Sequence, residues 1–288
     1  MWVKWSQLLW LKIMLRFNRK IHKSVSNDSI VEVTETNGIR SLHLGSVTIQ
    51  SSMKVRSPFE LDLAYTRGMM GFLLFSDAIK NVLTIGLGGG SVPKYIVQFC
   101  PKISQTIIEI NPQIINIARS HFAVPDNDAR LNVIQGDGLV YLAENQQSAD
   151  CLMIDAFDAH GIPPDFCSQD FFDACANSLK TGSPTQQGIF VINLWGSDKN
   201  FDSYLQRIER SFNNQTLMLP TGKPGNIVVF GFKQTPDLNI ASLRARAKLL
   251  EKSHKIEFLS FLDKLCEHNS NNNRQFFWNT LERFVMPK

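Results

Sequence analysis

The sequence has few residues that could form disulfides or bind a metal. Its five cysteines are odd in number and include no C-x-x-C pair, and its six histidines form no cluster at metal-ligand spacing. We therefore expect reduced thiols, a cytoplasmic protein and no metal site. The cysteines are Cys100, Cys151, Cys167, Cys175 and Cys266.

A long hydrophobic run is also absent. No apolar stretch approaches the roughly 20 residues that a membrane-spanning helix needs. The most apolar candidate, residues 1–17, is interrupted by Lys4, Lys12 and Arg16 and is followed by no small-residue cleavage site. The sequence therefore predicts neither a membrane span nor a secretory signal.

An excess of charge of one sign is confined to the N-terminus. Six of the 30 basic residues and none of the acidic ones lie in residues 1–24, which leaves 24 basic and 26 acidic residues, a net charge of −2, in the remainder. We expect no nucleic-acid binding by this remainder. Residues 1–24 form a basic, amphipathic segment. Its apolar residues nearly encircle a helix, which favours packing against protein, and membrane-surface contact through residues 1–20 is the alternative.

A glycine turn between a strand and a helix is the feature around which the rest of the chain is arranged. The apolar run 82–85 predicts a buried strand, and residues 92–99 predict the start of a helix. Glycines permit a sharp turn and let a ligand lie against bare backbone, although a tight turn alone would explain them equally well. These glycines are Gly86, Gly88, Gly89 and Gly90.

Three later predicted strands end in carboxylates or glycines. The strand 105–110 carries Glu109, the strand 131–135 is followed by Gly136-Asp137-Gly138, and the strand 149–154 is followed by Asp155 and Asp158. In open parallel α/β sheets, ligands bind at the carboxyl ends of the strands. A carboxylate about 20 residues after the glycines is typical of a ribose-hydroxyl acceptor. We therefore predict a ligand site at this edge, while each carboxylate could instead be a turn or cap residue.

The pattern along the chain predicts four segments. Alternation around Asn37-Gly38 indicates an antiparallel hairpin, and the apolar stretches 217–219 and 227–232 indicate a closing hairpin. Helices are expected at 58–75 and 276–285, and a turn at 182–188. The segments are a basic N-terminal segment (1–24), a small β-hairpin domain (25–56), a Rossmann-like domain (57–235) and a C-terminal helical extension (236–288).

Residues 30 to about 233 resemble the spermidine synthase family, the polyamine aminopropyltransferases. The resemblance rests on the order of the β unit, the helix with Tyr65, the glycine turn and the carboxylates after the strands. It implies a Rossmann-like α/β fold of the class I methyltransferase type, with a mostly parallel seven-stranded sheet that ends in an antiparallel hairpin. A small N-terminal β unit precedes this sheet. The resemblance also implies an S-adenosyl donor, decarboxylated in this family, a small-molecule amine acceptor and a homodimer.

The resemblance assigns a role to each matching position. Asp155 resembles the catalytic carboxylate that orients and deprotonates the attacking amine. Asp158, Tyr65 and Gln50 resemble residues that bind the acceptor or line the transfer site. The donor-binding positions, of which Glu109 resembles the ribose ligand and Asp137 and Gly138 the residues beside the adenine, are Gly86, Gly88, Gly90, Glu109, Asp137 and Gly138.

Some positions depart from the family pattern. Gly89 stands where the family has the aspartate that holds the aminopropyl amine, and Thr66-Arg67 stands where the family has His/Gln-Glu. Aminopropyl transfer to a polyamine is the expected reaction. The departures leave open methyl transfer from S-adenosylmethionine, or a non-catalytic adenosyl-binding module.

Overall fold

The computed structural model describes residues 18–26, 29–46, 48–157, 161–183, 186–222 and 225–269. The predictions for residues 1–17, for Asp158 and for a helix at 276–285 lie outside these ranges. In the described part of the chain, every helix is too short or too polar to cross a membrane.

A seven-stranded sheet forms the centre of the molecule. Its strands are β5 (Asn81–Ile85), β6 (Ser104–Glu109), β7 (Leu131–Gln135), β8 (Cys151–Ile154), β11 (Ile189–Trp195), β12 (Thr216–Pro220) and β13 (Asn226–Phe232). Their order is β12-β13-β11-β8-β5-β6-β7. β13 runs antiparallel to both of its neighbours, β11 and β12, and the remaining pairs are parallel. This sheet confirms the predicted mostly parallel α/β fold with a closing hairpin.

Helices cover both faces of the sheet. They are α1 (Ala64–Met69, continued by a 3₁₀ helix at Met70–Leu74), α2 (Ser91–Phe99), α3 (Pro112–Phe122), α4 (Gly138–Glu144), α5 (Gln169–Ser178), α6 (Phe201–Ser211), α7 (Ile240–His254) and α8 (Phe258–Asn269). One apolar core joins the sheet to α1, α2, α7 and α8, and a second joins it to α4, α5 and α6. Since both faces are covered, β8 is buried along its whole length and consists of a continuous apolar run.

The N-terminal part of the described chain is a separate antiparallel sheet of four strands. These are β1 (Asn18–Ser26), β2 (Ser29–Thr36), β3 (Ile39–Leu44) and β4 (Ser51–Lys54), in sequential order. Asn37 and Gly38 both have positive φ, 53° and 77°, as a two-residue hairpin turn requires. Val31, Val33 and Leu42 pack with residues of α3 in a third apolar core. This sheet therefore sits over the main sheet near α3.

The N-terminal sheet begins earlier than the predicted boundary at residue 25. Residues 18–24 belong to β1 and pair with β2. Two of the basic residues that suggested an amphipathic segment, Lys20 and Lys23, have a partner across this strand pair, because they lie 2.8 and 3.0 Å from Glu32. At the other end, residues 51–54 form the fourth strand of this unit.

Two other predicted elements differ in length. The helix expected at 58–75 begins only at Ala64, because Leu63 is extended with φ −78° and ψ 141°. The turn expected at 182–188 contains two short antiparallel strands, β9 (Thr181–Ser183) and β10 (Gln186–Gln187).

Asn269, the last residue of α8, covers the edge of the main sheet at β12. Its side-chain Nδ2 donates to the backbone carbonyl of Met218, and its side-chain Oδ1 accepts from the backbone N–H of Met218, both at 2.9 Å. This fully buried amide makes the pair of bonds that a neighbouring strand would make.

Candidate active site

A cavity of about 460 Å³ lies at the carboxyl ends of β5, β6, β7 and β8. The N-terminal sheet, α1 and the segment 163–166 complete its walls. A volume of this size suits a small-molecule ligand. The predicted site residues that line it are Gln50, Tyr65, Gly86, Gly88, Glu109, Asp137, Gly138 and Asp155.

Gly90 has a structural position instead. It is buried, has φ 63° and forms the N-cap of α2. A Cβ at this position would overlap Val124. The structure therefore places Gly90 behind the turn rather than among the residues that line the cavity.

The backbone N–H groups of the glycine turn are engaged with protein acceptors. Those of Gly86 and Gly90 donate to the carbonyls of Ile108 and Leu87, both at 2.8 Å. The N–H groups of Leu87 and Gly88 bond the Glu109 carboxylate, and the N–H of Gly89 donates to Ser51 Oγ at 2.9 Å. A dinucleotide-binding turn instead directs such groups at a pyrophosphate. Residues 86–90 are therefore not arranged to hold an anion.

Glu109 joins the end of β6 to the glycine turn. Its Oε2 accepts from Leu87 N and its Oε1 from Asn111 N, both at 2.9 Å. Burial raises the pKa of Glu109, while these backbone hydrogen bonds oppose the rise. The N–H groups of Gly88 and Ile110 also bond this carboxylate, so four backbone donors hold it in the cavity wall.

Asp137 and Gly138 border the cavity and also support α4. Asp137 is exposed and caps the helix, with Oδ1 accepting from Leu139 N at 2.8 Å. A Cβ on Gly138 would overlap the side chain of Ile85. The alternative interpretation of Asp137 as a cap residue is thus realised, and the same residue lies in the cavity wall.

Asp155 receives two side-chain donors at the end of β8. Its Oδ2 lies 3.4 Å from the Tyr65 hydroxyl, and its Oδ1 lies 3.5 Å from Asn193 Nδ2. Removal of the carboxyl group from water raises the pKa of Asp155 to about 6, although both hydrogen bonds lower it. Burial and the nearby Asp155 carboxylate raise the pKa of Tyr65 well above its usual value, so the phenol stays protonated as a donor. The Tyr65 hydroxyl also lies 3.2 Å from the backbone carbonyl oxygen of Gln50.

Asn193 is a site residue that the sequence did not identify. It lies in β11 and is 2% exposed. Asn226 Nδ2 donates to Asn193 Oδ1 at 2.9 Å, which orients the Asn193 amide to donate towards Asp155. The available signal was a polar residue inside an otherwise apolar strand.

The two main departures from the family pattern have structural explanations. A Cβ on Gly89 would come within 2.8 Å of Ser51 Cβ and 2.9 Å of Phe122 Cδ1, so this position is packed against protein. Arg67 does not line the cavity. Its guanidinium instead bonds Glu257 at 2.9 Å and the Asp62 carbonyl at 2.7 Å. The charge reversal at position 67 therefore lies outside the cavity.

The charge of the cavity wall is of one sign. Four carboxylate residues line the cavity, and no lysine, arginine or histidine is among the described lining residues. Because its charged side chains are all acidic, the cavity suits a cationic ligand. The described part of the chain contains no group of His, Cys, Asp and Glu residues that could hold a metal ion. The four carboxylates are Glu109, Asp137, Asp155 and Asp165.

Solved structures define the class of protein to which this fold belongs. A probable spermidine synthase from Corynebacterium glutamicum superposes with a TM-score of 0.66 at 18% identity, over 78% of this chain and 86% of that chain. Human methyltransferase-like protein 13, solved with SAH, superposes with a TM-score of 0.59 at 24% identity, over 67% of this chain and 93% of that chain. The fold is therefore the Rossmann-like methyltransferase type.

Sequence comparisons then identify the family. The spermine/spermidine synthase domain model matches residues 62–241. A polyamine aminopropyltransferase from Chromobacterium violaceum is 39% identical over 254 residues, 88% of this chain and 95% of that protein. A polyamine aminopropyltransferase from Neisseria meningitidis serogroup A is 38% identical over 260 residues, 90% and 97% of the two chains. The chain belongs to the spermine/spermidine synthase family, a family of transferases, which confirms the resemblance predicted from its motifs.

Proposed function

We propose that the protein transfers an aminopropyl group from decarboxylated S-adenosylmethionine to an amine of a polyamine. The observation that carries this proposal is the cavity wall, which has four carboxylates and no basic side chain among its described residues. The decarboxylated donor is cationic at its sulfonium and its amine and bears no carboxylate. Family membership and the names of the relatives support the same reaction.

The same wall argues against S-adenosylmethionine as the preferred donor. Its carboxylate would enter an acidic cavity, where like charges repel. The glycine turn offers little compensation, because the N–H groups of residues 86–90 already bond protein acceptors. Methyl transfer therefore remains the second candidate.

The lining residues suggest how the donor and acceptor are held. Glu109 would accept hydrogen bonds from the ribose hydroxyls, and Asp137 and Gly138 would border the adenine. Gly86 and Gly88 would allow close approach of the donor to the turn. The sulfonium is already an activated leaving group, so alignment of donor and acceptor supplies much of the catalysis.

Asp155 is proposed as the catalytic base. An alkyl ammonium titrates near a pKa of about 10.4 and must lose a proton before it can attack. Asp155 would take this proton, while Tyr65 and Asn193 hold the carboxylate in place. The amine nitrogen then forms a bond to the aminopropyl carbon next to sulfur, and the C–S bond breaks. Its electron pair goes to sulfur, which leaves as the neutral thioether methylthioadenosine. We propose that Asp158 and Gln50 contact the acceptor.

Calorimetric titration with three ligands tests the proposal: decarboxylated S-adenosylmethionine, S-adenosylmethionine and methylthioadenosine. We expect the decarboxylated donor to bind more tightly than the carboxylated one, and mass spectrometry to detect aminopropylated polyamine. Tighter binding of S-adenosylmethionine together with methylated product would replace the proposal by methyl transfer. Binding of none of the three would leave a non-catalytic module.

We further propose a cytoplasmic homodimer whose residues 1–17 attach to protein rather than to a membrane. The five cysteines are all unpaired, which suits a reducing compartment. A truncation that starts at Asn18 keeps the whole of β1. Sedimentation should show an altered oligomeric state or lower solubility on truncation. Co-sedimentation of only the full chain with anionic vesicles would support the membrane alternative.

A further inference from the structure

Arg67 connects the reaction site to the C-terminal helices. Its Nε donates to both carboxylate oxygens of Glu257, at 2.9 and 3.2 Å, and Glu257 immediately precedes α8. Its Nη1 donates to the carbonyls of Asp62 and Leu61, at 2.7 and 3.4 Å. The guanidinium therefore fixes the entry into α1 and joins it to Glu257.

Tyr65 lies on the same short helix, two residues before Arg67. Residues two apart on an α-helix point in nearly opposite directions, and here the Tyr65 hydroxyl reaches Asp155 while Arg67 reaches Glu257. The helix has only six residues and no side-chain N-cap bond. A helix this short has little stability of its own, so its side-chain contacts determine where Tyr65 lies.

The contacts of Asp62 continue this connection towards the donor side. Ser52 Oγ donates to Asp62 Oδ2 at 2.5 Å, and the adjacent Ser51 accepts from the Gly89 N–H. Arg67, through Asp62, thus joins the C-terminal helices to β4 and to the glycine turn.

We propose that the Arg67–Glu257 ion pair positions Tyr65 against Asp155, so that Arg67 and Glu257 are positioning residues for the transfer reaction. This inference rests on the proposed aminopropyl transfer. It also accounts for a basic residue at position 67. Arg67 lies outside the cavity, where its partner is the acidic residue Glu257 of the C-terminal extension.

A double-mutant cycle between Glu257 and Tyr65 tests the inference. The side chains of Arg67 and Glu257 are 26% and 42% exposed, and ion pairs open to solvent contribute little to global stability, so Glu257→Gln should lower the melting temperature only slightly. It should lower kcat roughly three- to tenfold, because small misplacements of reacting groups slow transfer, and should leave donor KM within about twofold. If the ion pair acts through Tyr65, the same substitution in a Tyr65→Phe background should cause no further loss.

A matched control breaks an ion pair between the two C-terminal helices, α7 and α8. Arg244 Nη2 bonds Asp263 Oδ1 at 2.6 Å, away from α1. Asp263→Asn should therefore keep the parent kcat. Glu257→Asp, which retains the charge with a shorter reach, should fall between the parent and Glu257→Gln. If Glu257→Gln lowers the melting temperature, the cycle is measured at a temperature where circular dichroism shows all variants folded.

The outcomes distinguish this inference from the proposed function. Equal losses from Glu257→Gln in the parent and in the Tyr65→Phe background, or an unchanged kcat, would overturn the positioning role while parent turnover upholds aminopropyl transfer. Absence of turnover in the parent would overturn the proposed function itself. In that case the melting temperatures and donor affinities of the same variants decide whether the ion pair has a purely structural role.

Discussion

At the scale of single residues, the site depends on a carboxyl group whose surroundings oppose its ionisation. Burial raises the pKa of Asp155 from its ordinary 3.8 to about 6, in spite of donors from Asn193 and Tyr65. The carboxylate therefore remains ionised at neutral pH, yet is a stronger base than a solvent-exposed aspartate.

The activity should show this pKa directly. We expect kcat/KM to fall below about pH 6 with a slope of one proton, because protonated Asp155 cannot accept the proton of the acceptor amine. A pH series of initial rates at low substrate measures it. Absence of any acidic limb between about pH 5 and pH 7 would argue against Asp155 as the base.

The same carboxylate should reduce the stability of the fold. Its folded pKa lies above the unfolded value, so the folded state binds more protons between about pH 4 and pH 6, and stability decreases as pH rises through this range. A shift of about two units corresponds to roughly 2–3 kcal/mol above pH 6. Asp155→Asn should therefore abolish turnover and stabilise the protein at about pH 7.5, but not at about pH 4.

Denaturant titrations of both proteins at the two pH values measure this difference. Asp137→Asn is the matched control, because the carboxylate of Asp137 caps α4 at the surface and is exposed to solvent. A destabilised Asp155→Asn at the higher pH would contradict the predicted cost of ionisation.

The site residues at the ends of strands were predictable from the sequence, because ligands bind at the carboxyl ends of parallel strands. Glu109 lies near the end of a predicted strand, Asp137 and Asp155 follow predicted strands, and the parallel sheet brings all three to one cavity. Asn193 and Ser51 were missed because their roles depend on contacts with distant residues. No local pattern in the sequence specifies such pairs.

At the scale of elements, the glycine turn is held by the N-terminal sheet. Ser51 of β4 accepts the Gly89 N–H and packs against the same glycine. From the sequence alone, Gly89 indicates a lost ligand for the aminopropyl amine. The structure adds a packing requirement, which depends on where β4 lies and could not be derived from the turn itself.

Gly89→Ala tests this packing requirement. Its Cβ would come within 2.9 Å of Phe122 as well as 2.8 Å of Ser51, so a neighbour must move. Overpacking of this kind costs about 1–3 kcal/mol, and the melting temperature should fall accordingly. Gly222→Ala is the matched control, because a Cβ there meets nothing within 4 Å. Equal stability of the two variants would show that the turn adapts.

The boundaries of elements were less predictable than their existence. The strand–turn–helix around the glycines and the closing hairpin follow from apolar periodicity, and both are present. β1 was missed because the partner of its basic residues Lys20 and Lys23 is Glu32 on the neighbouring strand, a contact that local composition does not reveal. Charge composition alone suggested an independent segment.

At the scale of the whole molecule, the cavity is assembled from units far apart in the sequence. The N-terminal sheet supplies Gln50 and Ser51, and the main sheet supplies the carboxylates. The C-terminal helices reach the site through Arg67 and Glu257. The way in which the N-terminal sheet and the C-terminal helices pack against the rest of the molecule should therefore affect turnover, even where they do not touch substrate.

The amide of Asn269 has a consequence for how copies of the protein behave in solution. A sheet edge with unpaired N–H and C=O groups is a template for intermolecular strand pairing, and Asn269 occupies both groups of Met218. Asn269→Ala should lower stability by about 1–3 kcal/mol through these orphaned groups, and should promote aggregation on heating. Light scattering during a thermal ramp measures this, with the exposed neighbour substitution His268→Ala as control. Identical scattering of the two variants would show that α8 protects the edge without this side chain. Stronger scattering of Asn269→Ala would show that a single side-chain amide prevents fibril-like association of copies of the protein.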